Sequence, residues 1–258
     1  MAGTVQIDMT GKVALVTGGG YGMGRASARR FAACGARVVV ADIDVSTGNE
    51  TVELVRAAGG VAEFVQVDVG DADGVRGMVD FTVSTFGGLD YAHNNAGIIE
   101  SQDPVVRYPE DVWERVLRTN LTGVFHCLKF EIPQMLRRGG GAIVNVASEA
   151  AYKGNVADVG YTASKHGVLG LTTAAGLQYM KRGIRVNAVA PGNIATGITE
   201  RAREYLTPEQ YRRMETAMPI GRLGRAEEIA ELVVWACSDA ASMINATLIP
   251  ADSGWHVA

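Results

Sequence analysis

Short apolar runs rich in β-branched residues alternate along the chain with longer stretches in which apolar positions recur at helical spacing. The first pattern reads as strands buried on both faces, the second as amphipathic helices. Predicted strands are 12–17 (KVALVT), 36–41, 62–67, 89–94, 142–147 and 184–189, with 246–249 as a seventh. Predicted helices cover 25–33, 73–86, about 109–136, a stretch opening at Tyr161, and 227–238. No linker-like segment breaks the alternation. One α/β domain is therefore expected over 1–258, a single Rossmann-like, doubly wound parallel sheet with helices on both faces. No repeat of solenoid period is present.

Composition changes this picture little. Hydrophobic residues make up 47% of the 258, enough for a large core. The formal net charge of −4 is spread along the chain, and no basic block suggests nucleic acid. Cys34, Cys127 and Cys237 have neither zinc nor CxxC spacing and read as reduced thiols, which together with the lack of a signal-like start predicts a cytoplasmic protein. His93, His126, His166 and His256 show no metal-ligand spacing, so no metal is expected. No apolar stretch approaches the length of a membrane span.

Chemistry begins after the first strand. Residues 17–24 (TGGGYGMG) lie between that strand and a helix, which is an anion-binding arrangement: free backbone N–H groups and the positive helix end face a pyrophosphate. Gly18, Tyr21, Gly22 and Met23 of this turn are candidate cofactor contacts. Asp42 ends the next strand, 18 positions beyond Gly24 and near the spacing at which an acid meets the adenosine ribose. Its carboxylate accepts from ribose hydroxyls and repels a 2′-phosphate, and no basic residue lies within the turn. NAD is expected over NADP.

The second constellation is Ser148, Tyr161 and Lys165. Tyrosine and lysine at i and i+4 share a helix face. A free phenol, with a pKa near ~10, is a poor base at neutral pH, and a nearby ammonium stabilises the phenolate. Ser148 follows a strand, where open α/β sheets place their ligand crevice, and its hydroxyl can hold a substrate oxygen. Taken alone, such a Tyr/Lys pair also fits an ordinary solvated helix, and such a serine fits a cap.

Together, the TGxxxGxG turn and the Ser…YxxxK set resemble the short-chain dehydrogenase/reductase family over nearly the whole chain. The resemblance implies that Asp68 and Val69 meet the adenine ring. Asn95, Ala96 and Gly97 of the NNAG stretch would lie behind the cofactor, and Asn120 would be the catalytic asparagine, holding a water through its backbone. Pro191, Gly192, Ile194 and Thr196, in and around the PGxxxT segment, would meet the nicotinamide carboxamide and the pyrophosphate. Lys165 and Tyr161 would also touch the nicotinamide ribose. The family's dimerising helices correspond to 109–137 and 161–181, and a homotetramer is implied. Residues 245–254 depart from the family's usual closing pattern.

The activity expected is hydride transfer between nicotinamide and a small-molecule secondary alcohol or ketone. Segment 149–160 and a lid over 193–220, with Tyr205, Tyr211, Met214 and Met218, should shape the substrate pocket. Within the first segment, Glu149, Lys153 and Asp158 either bind polar substrate groups or face water. Two other readings stay open: a different redox outcome at the same site, and a non-catalytic NAD-binding sensor or scaffold.

Overall fold

The computed structural model describes residues 7–154, 158–197, 199–200 and 206–257. Seven strands form one sheet in the order β3-β2-β1-β4-β5-β6-β7, every neighbouring pair parallel. They are β1 (Val13–Thr17), β2 (Arg37–Asp42), β3 (Val61–Gln66), β4 (Tyr91–Asn94), β5 (Gly141–Val146), β6 (Ile184–Pro191) and β7 (Leu248–Ala251). Continuous apolar runs suit both-face burial, and the strand alternation sorts them between two layers. Ala14, Val16, Val38 and Val40 enter one core, while Leu15, Val39 and Ala41 enter the other.

The first layer holds α1 (Gly22–Ala33), α2 (Val45–Ala57) and α8 (Ala226–Cys237). The second holds α3 (Ala72–Phe86), α5 (Gly123–Arg138) and α6 (Val159–Tyr179). α4 (Glu110–Leu117) precedes α5, and α7 (Pro208–Thr216) lies in the expected lid. Aspartates open several helices: Asp44 accepts from Thr47 N, Asp71 from Asp73 N and Gly74 N, and Asp158 from Tyr161 N.

Besides shifts of up to two residues at strand ends, such as β4 opening at Tyr91 and β6 running on to Pro191, the structure departs from the sequence expectation in the following elements. α2 was not expected, because its glycine and β-branched residues blur the helical pattern. The long helix over 109–136 is broken by a π-helical turn, Arg118–Thr122, which carries Asn120. The last strand starts two residues later than 246. Ala246 has φ 56°, outside strand geometry, and it lies so close to Gly176 that a Cβ there would approach it to 2.8 Å. Tyr205 of the expected lid lies outside the described residues. Tyr211 and Met218 are only 9% and 3% exposed, so they pack inward instead of lining an open surface. Among the described residues no helix is long and apolar enough to cross a membrane.

Candidate active site

Strand order reverses between β1 and β4, whose ends Thr17 and Asn94 are in register. Such a reversal leaves a crevice at the carboxyl edge of the sheet. A cleft of about 500 Å³ opens there. Its floor is the glycine turn: Gly18, Tyr21, Gly22 and Met23 all line it. Gly18 and Gly22 have φ of 59° and 53°, the left-handed region that favours glycine. Any Cβ on Gly24 would collide with the Gly18 carbonyl. At the start of α1, Tyr21 makes no side-chain cap and the first turn has no acid, so its N–H groups suit an anion. These features fit a dinucleotide pyrophosphate.

Asp42 lines the same cleft. Its Oδ2 accepts from Gly20 N at 2.8 Å and its Oδ1 from Asp44 N at 3.0 Å, which fixes the carboxylate against the glycine turn. Asp68 and Val69 form the adjoining wall, and Asn95, Ala96, Gly97 and Thr196 close the other side. Asn95 is tied to the turn by bonds from its Nδ2 to the carbonyls of Thr17 (3.1 Å) and Gly18 (3.0 Å). Pro191, Gly192 and Ile194 do not line the cleft; Ile194 is 5% exposed and commits its side chain to the core.

Sequence reasoning missed Arg115 and Arg118 on this wall. Both are held by acids: Arg115 by Glu100 (3.0 Å) and Asp111 (2.6 Å), Arg118 by Asp68 (2.8 Å). The Arg118–Asp68 partners are far apart in sequence, so no local pattern announces them. Tyr21, which lines the cleft, donates to Glu200 Oε2 at 3.0 Å.

Ser148, Tyr161, Lys165 and Asn120 gather beyond the cleft. Ser148 follows β5, its Oγ accepts from Ala150 N at 3.2 Å, and its hydroxyl acts on the Tyr161 phenol. Lys165 is 3% exposed; its Nζ lies 5.3 Å from the Tyr161 ring centre and donates to Val146 O at 2.7 Å. Asn120 is fully buried, with Oδ1 accepting from Ile98 N at 2.8 Å and Nδ2 donating to Ile98 O and Ser164 Oγ. Gly97 joins the two regions: a Cβ on it would lie 3.4 Å from Asn120 Oδ1 and 3.6 Å from Lys165 Nζ.

The electrostatics differ from expectation. Burial raises the Tyr161 phenol above its ordinary pKa; the Ser148 hydroxyl opposes this, and Glu149 and Asp158 reinforce it. Burial also pushes the Lys165 ammonium down to about 8, and its Nζ is directed at the Val146 carbonyl. Burial pushes Glu149 up to about 7. Asp158 neither faces water nor presents an open carboxylate: it is 0% exposed and hydrogen-bonded by Tyr108 and backbone N–H groups. Lys153 donates to Trp255 O at 2.5 Å instead of standing free.

The atypical C-terminal segment meets this region. Asp252, 2% exposed, accepts from Tyr152 OH at 2.9 Å and faces His256 Nδ1 at 3.0 Å. Gly192 sits against Asp252 and Met218. Among the described residues no group of His, Cys, Asp and Glu could hold a metal.

Comparison with known proteins agrees with this geometry. A family model described as enoyl-(acyl carrier protein) reductase matches residues 18–256. A short-chain dehydrogenase/reductase of Aspergillus oryzae is 40% identical over 257 residues, 98% of each chain. Cyclohexanol dehydrogenase of an Acinetobacter species is 40% identical over 244 residues, covering 95% of this chain and 94% of that one. The crystal structure of levodione reductase superposes with TM-score 0.92 at 38% identity, covering 96% of this chain and 99% of that one. An actinorhodin polyketide ketoreductase solved with NADPH gives 0.91 at 34% identity, covering 96% and 98%. With fold, cleft and near full-length matches in agreement, this chain belongs to the short-chain dehydrogenase/reductase family of oxidoreductases, which use a nicotinamide cofactor.

Proposed function

We propose that this protein moves a hydride between NAD and a secondary alcohol or ketone carried on a ring, with Tyr161 as the acid/base. The observation that carries this reading is the Ser148–Tyr161–Lys165 group at the end of a dinucleotide cleft whose ribose position holds Asp42. When bound, the nicotinamide ring supplies the hydride acceptor or donor. The pyrophosphate would rest on the Gly18–Met23 turn and the start of α1, and the ribose hydroxyls on Asp42. Asp68 and Val69 would flank the adenine. Asn95 to Gly97 and Thr196 would hold the nicotinamide half, together with Tyr161 and Lys165.

Ser148 holds the substrate oxygen in line with the Tyr161 hydroxyl. In oxidation Tyr161 takes the alcohol proton; in reduction it returns one. Lys165 acts on the phenolate through its nearby ammonium and on the ribose through its remaining N–H groups. Asn120 holds the 98–101 loop and, through its backbone, a water that carries the proton away. A raised phenol pKa keeps Tyr161 protonated near neutrality, so reduction is favoured at neutral pH and oxidation at alkaline pH.

NAD over NADP is supported by the fixed Asp42 carboxylate, and by Arg115 and Arg118 being occupied by acids and not free for a 2′-phosphate. Ring substrates are supported by relatives named for cyclohexanol and for 2,5-dichloro-2,5-cyclohexadiene-1,4-diol, the latter 39% identical. A homotetramer built through α4–α5 and α6 is part of the proposal, and Phe125 and Leu177, 47% and 75% exposed on those helices, support it.

The deciding experiment screens cyclic secondary alcohols and ketones with NAD(H) and NADP(H), reading the near-ultraviolet absorbance of reduced nicotinamide. The expected result is NAD-linked turnover that Tyr161→Phe abolishes while cofactor binding survives. Appreciable turnover by that variant would remove Tyr161 from its role. A kcat/KM with NADP equal to or above that with NAD would overturn the cofactor choice.

A further inference from the structure

Asp158 is 0% exposed, and the hydrogen bonds described for it come from neutral groups on three separate pieces of chain. Its Oδ1 accepts from Tyr161 N at 2.8 Å and from the Tyr108 hydroxyl at 2.6 Å. Its Oδ2 accepts from Glu100 N at 3.0 Å and Ser101 N at 3.2 Å. One side chain thus caps the helix that carries Tyr161 and Lys165 and also tethers the loop after β4. That loop passes Gly97, beside Lys165 Nζ, and is held one residue further on by Asn120 through Ile98. The positive end of α6 accommodates the buried charge.

We infer that Asp158 is a positioning residue for proton transfer at Tyr161: its carboxylate clamps the 98–101 loop onto the first turn of α6 and keeps a negative charge at the cap of the helix that carries the phenol. The inference rests on Tyr161 being the acid/base group. Four groups act on that phenol. Asp158 acts from the helix cap, Glu149 from the turn after β5, Lys165 from one turn further along α6, and Ser148 through its hydroxyl. Both carboxylates oppose loss of the phenolic proton, and Ser148 favours it.

The geometry distinguishes a charge role from a capping role. Asparagine caps a helix as well as aspartate does. It offers one acceptor oxygen, however, so its amide N–H₂ must face either the Glu100 and Ser101 N–H groups or the Tyr161 N–H and Tyr108 hydroxyl. Asp158→Asn therefore keeps the cap while releasing the loop and removing the charge. Tyr108→Phe does the reverse: the charge and the backbone bonds remain, but one neutralising donor is lost.

The test is the pH profile of kcat/KM for oxidation of a cyclic secondary alcohol with NAD, in wild type and both variants. In Asp158→Asn the apparent pKa of the rising limb should move down by about one pH unit, with KM for the alcohol up several-fold. In Tyr108→Phe the limb should move up, since a carboxylate with fewer donors exerts a stronger field. NAD affinity should hold in both, because the pyrophosphate floor lies on α1. Limbs at the wild-type position in both variants would overturn the inference and leave Asp158 a plain cap. Should Asp158→Asn fail to fold, as judged by circular dichroism, Tyr108→Phe decides alone, and an unmoved limb overturns the inference. Turnover surviving Tyr161→Phe would instead overturn the acid/base reading beneath it.

Discussion

Asp42 owes its position to backbone: Gly20 and Asp44 each donate an N–H to one of its oxygens, so the carboxylate cannot swing away from an incoming charge. A 2′-phosphate would meet it at contact distance, where like charges repel even at a partly exposed site. We expect Asp42→Ala to lower kcat/KM with NAD by about tenfold and to raise it with NADP, as measured by steady-state kinetics; an unchanged cofactor ratio would move discrimination elsewhere. Asp42, Ser148, Tyr161 and Lys165 were legible in the sequence because each stands at a fixed distance from a strand end or a helix turn. Arg118 and Asp158 were not, since their partners, Asp68 and Tyr108, are reached only through the fold. Spacing places Lys165 near Tyr161 but does not show its Nζ donating to the Val146 carbonyl.

Among the elements, the strands were the clearest part of the sequence, since a parallel strand buried on both faces is an unbroken apolar run. Failures came where tertiary contact overrides local pattern. The π-helical turn that turns Asn120 toward Ile98 has no apolar signature, and β7 starts late because Ala246 is pressed against Gly176. Arg185 is a similar case. It lies at the amino end of β6, 9% exposed, and its guanidinium donates to the carbonyls of Ala236 (2.6 Å), Cys237 (3.0 Å) and Ser238 (2.9 Å) at the end of α8. Those carbonyls are the unsatisfied acceptors of a helix terminus, and a cation there also complements the dipole. Arg185→Leu should cost about 3 kcal/mol in urea unfolding. NAD affinity should be unaffected, because the cofactor cleft is at the opposite edge of the sheet. A loss below ~1 kcal/mol would mean that water serves those carbonyls equally well.

Across the whole molecule, two buried titratable groups pull stability in opposite directions with pH. His93 and Asn94 are consecutive on β4 and face opposite layers. His93 is fully buried, neither ring nitrogen has a partner, and burial pushes its pKa down to about 3. Folding therefore favours the neutral ring, and that stability is lost as pH falls from the unfolded value of 6.5 toward 3. Glu131, on α5, is also fully buried; Asn94 Nδ2 donates to its Oε2 at 3.1 Å, Oε1 has no partner, and burial pushes its pKa up to about 7. Its contribution is complete below the unfolded value of 4.5 and lost as pH rises through 7. Glu131→Gln should remove that alkaline loss, raising stability above neutrality by roughly 3 kcal/mol in unfolding experiments run across pH. A parallel, unshifted pH profile would show that Glu131 is already ionised in the fold. The bond from Tyr21 to Glu200 has a different kind of consequence, one of timing. Tyr21 lines the cleft, so where its bond to Glu200 holds the ring over a bound dinucleotide, departure waits for that bond to open. An exposed hydrogen bond to a charged group is worth about 1 kcal/mol, a delay of roughly fivefold. Where that departure paces turnover, deuterium on the alcohol carbon leaves kcat unaltered in the wild type, and Tyr21→Phe unmasks the isotope effect by letting the cofactor go sooner.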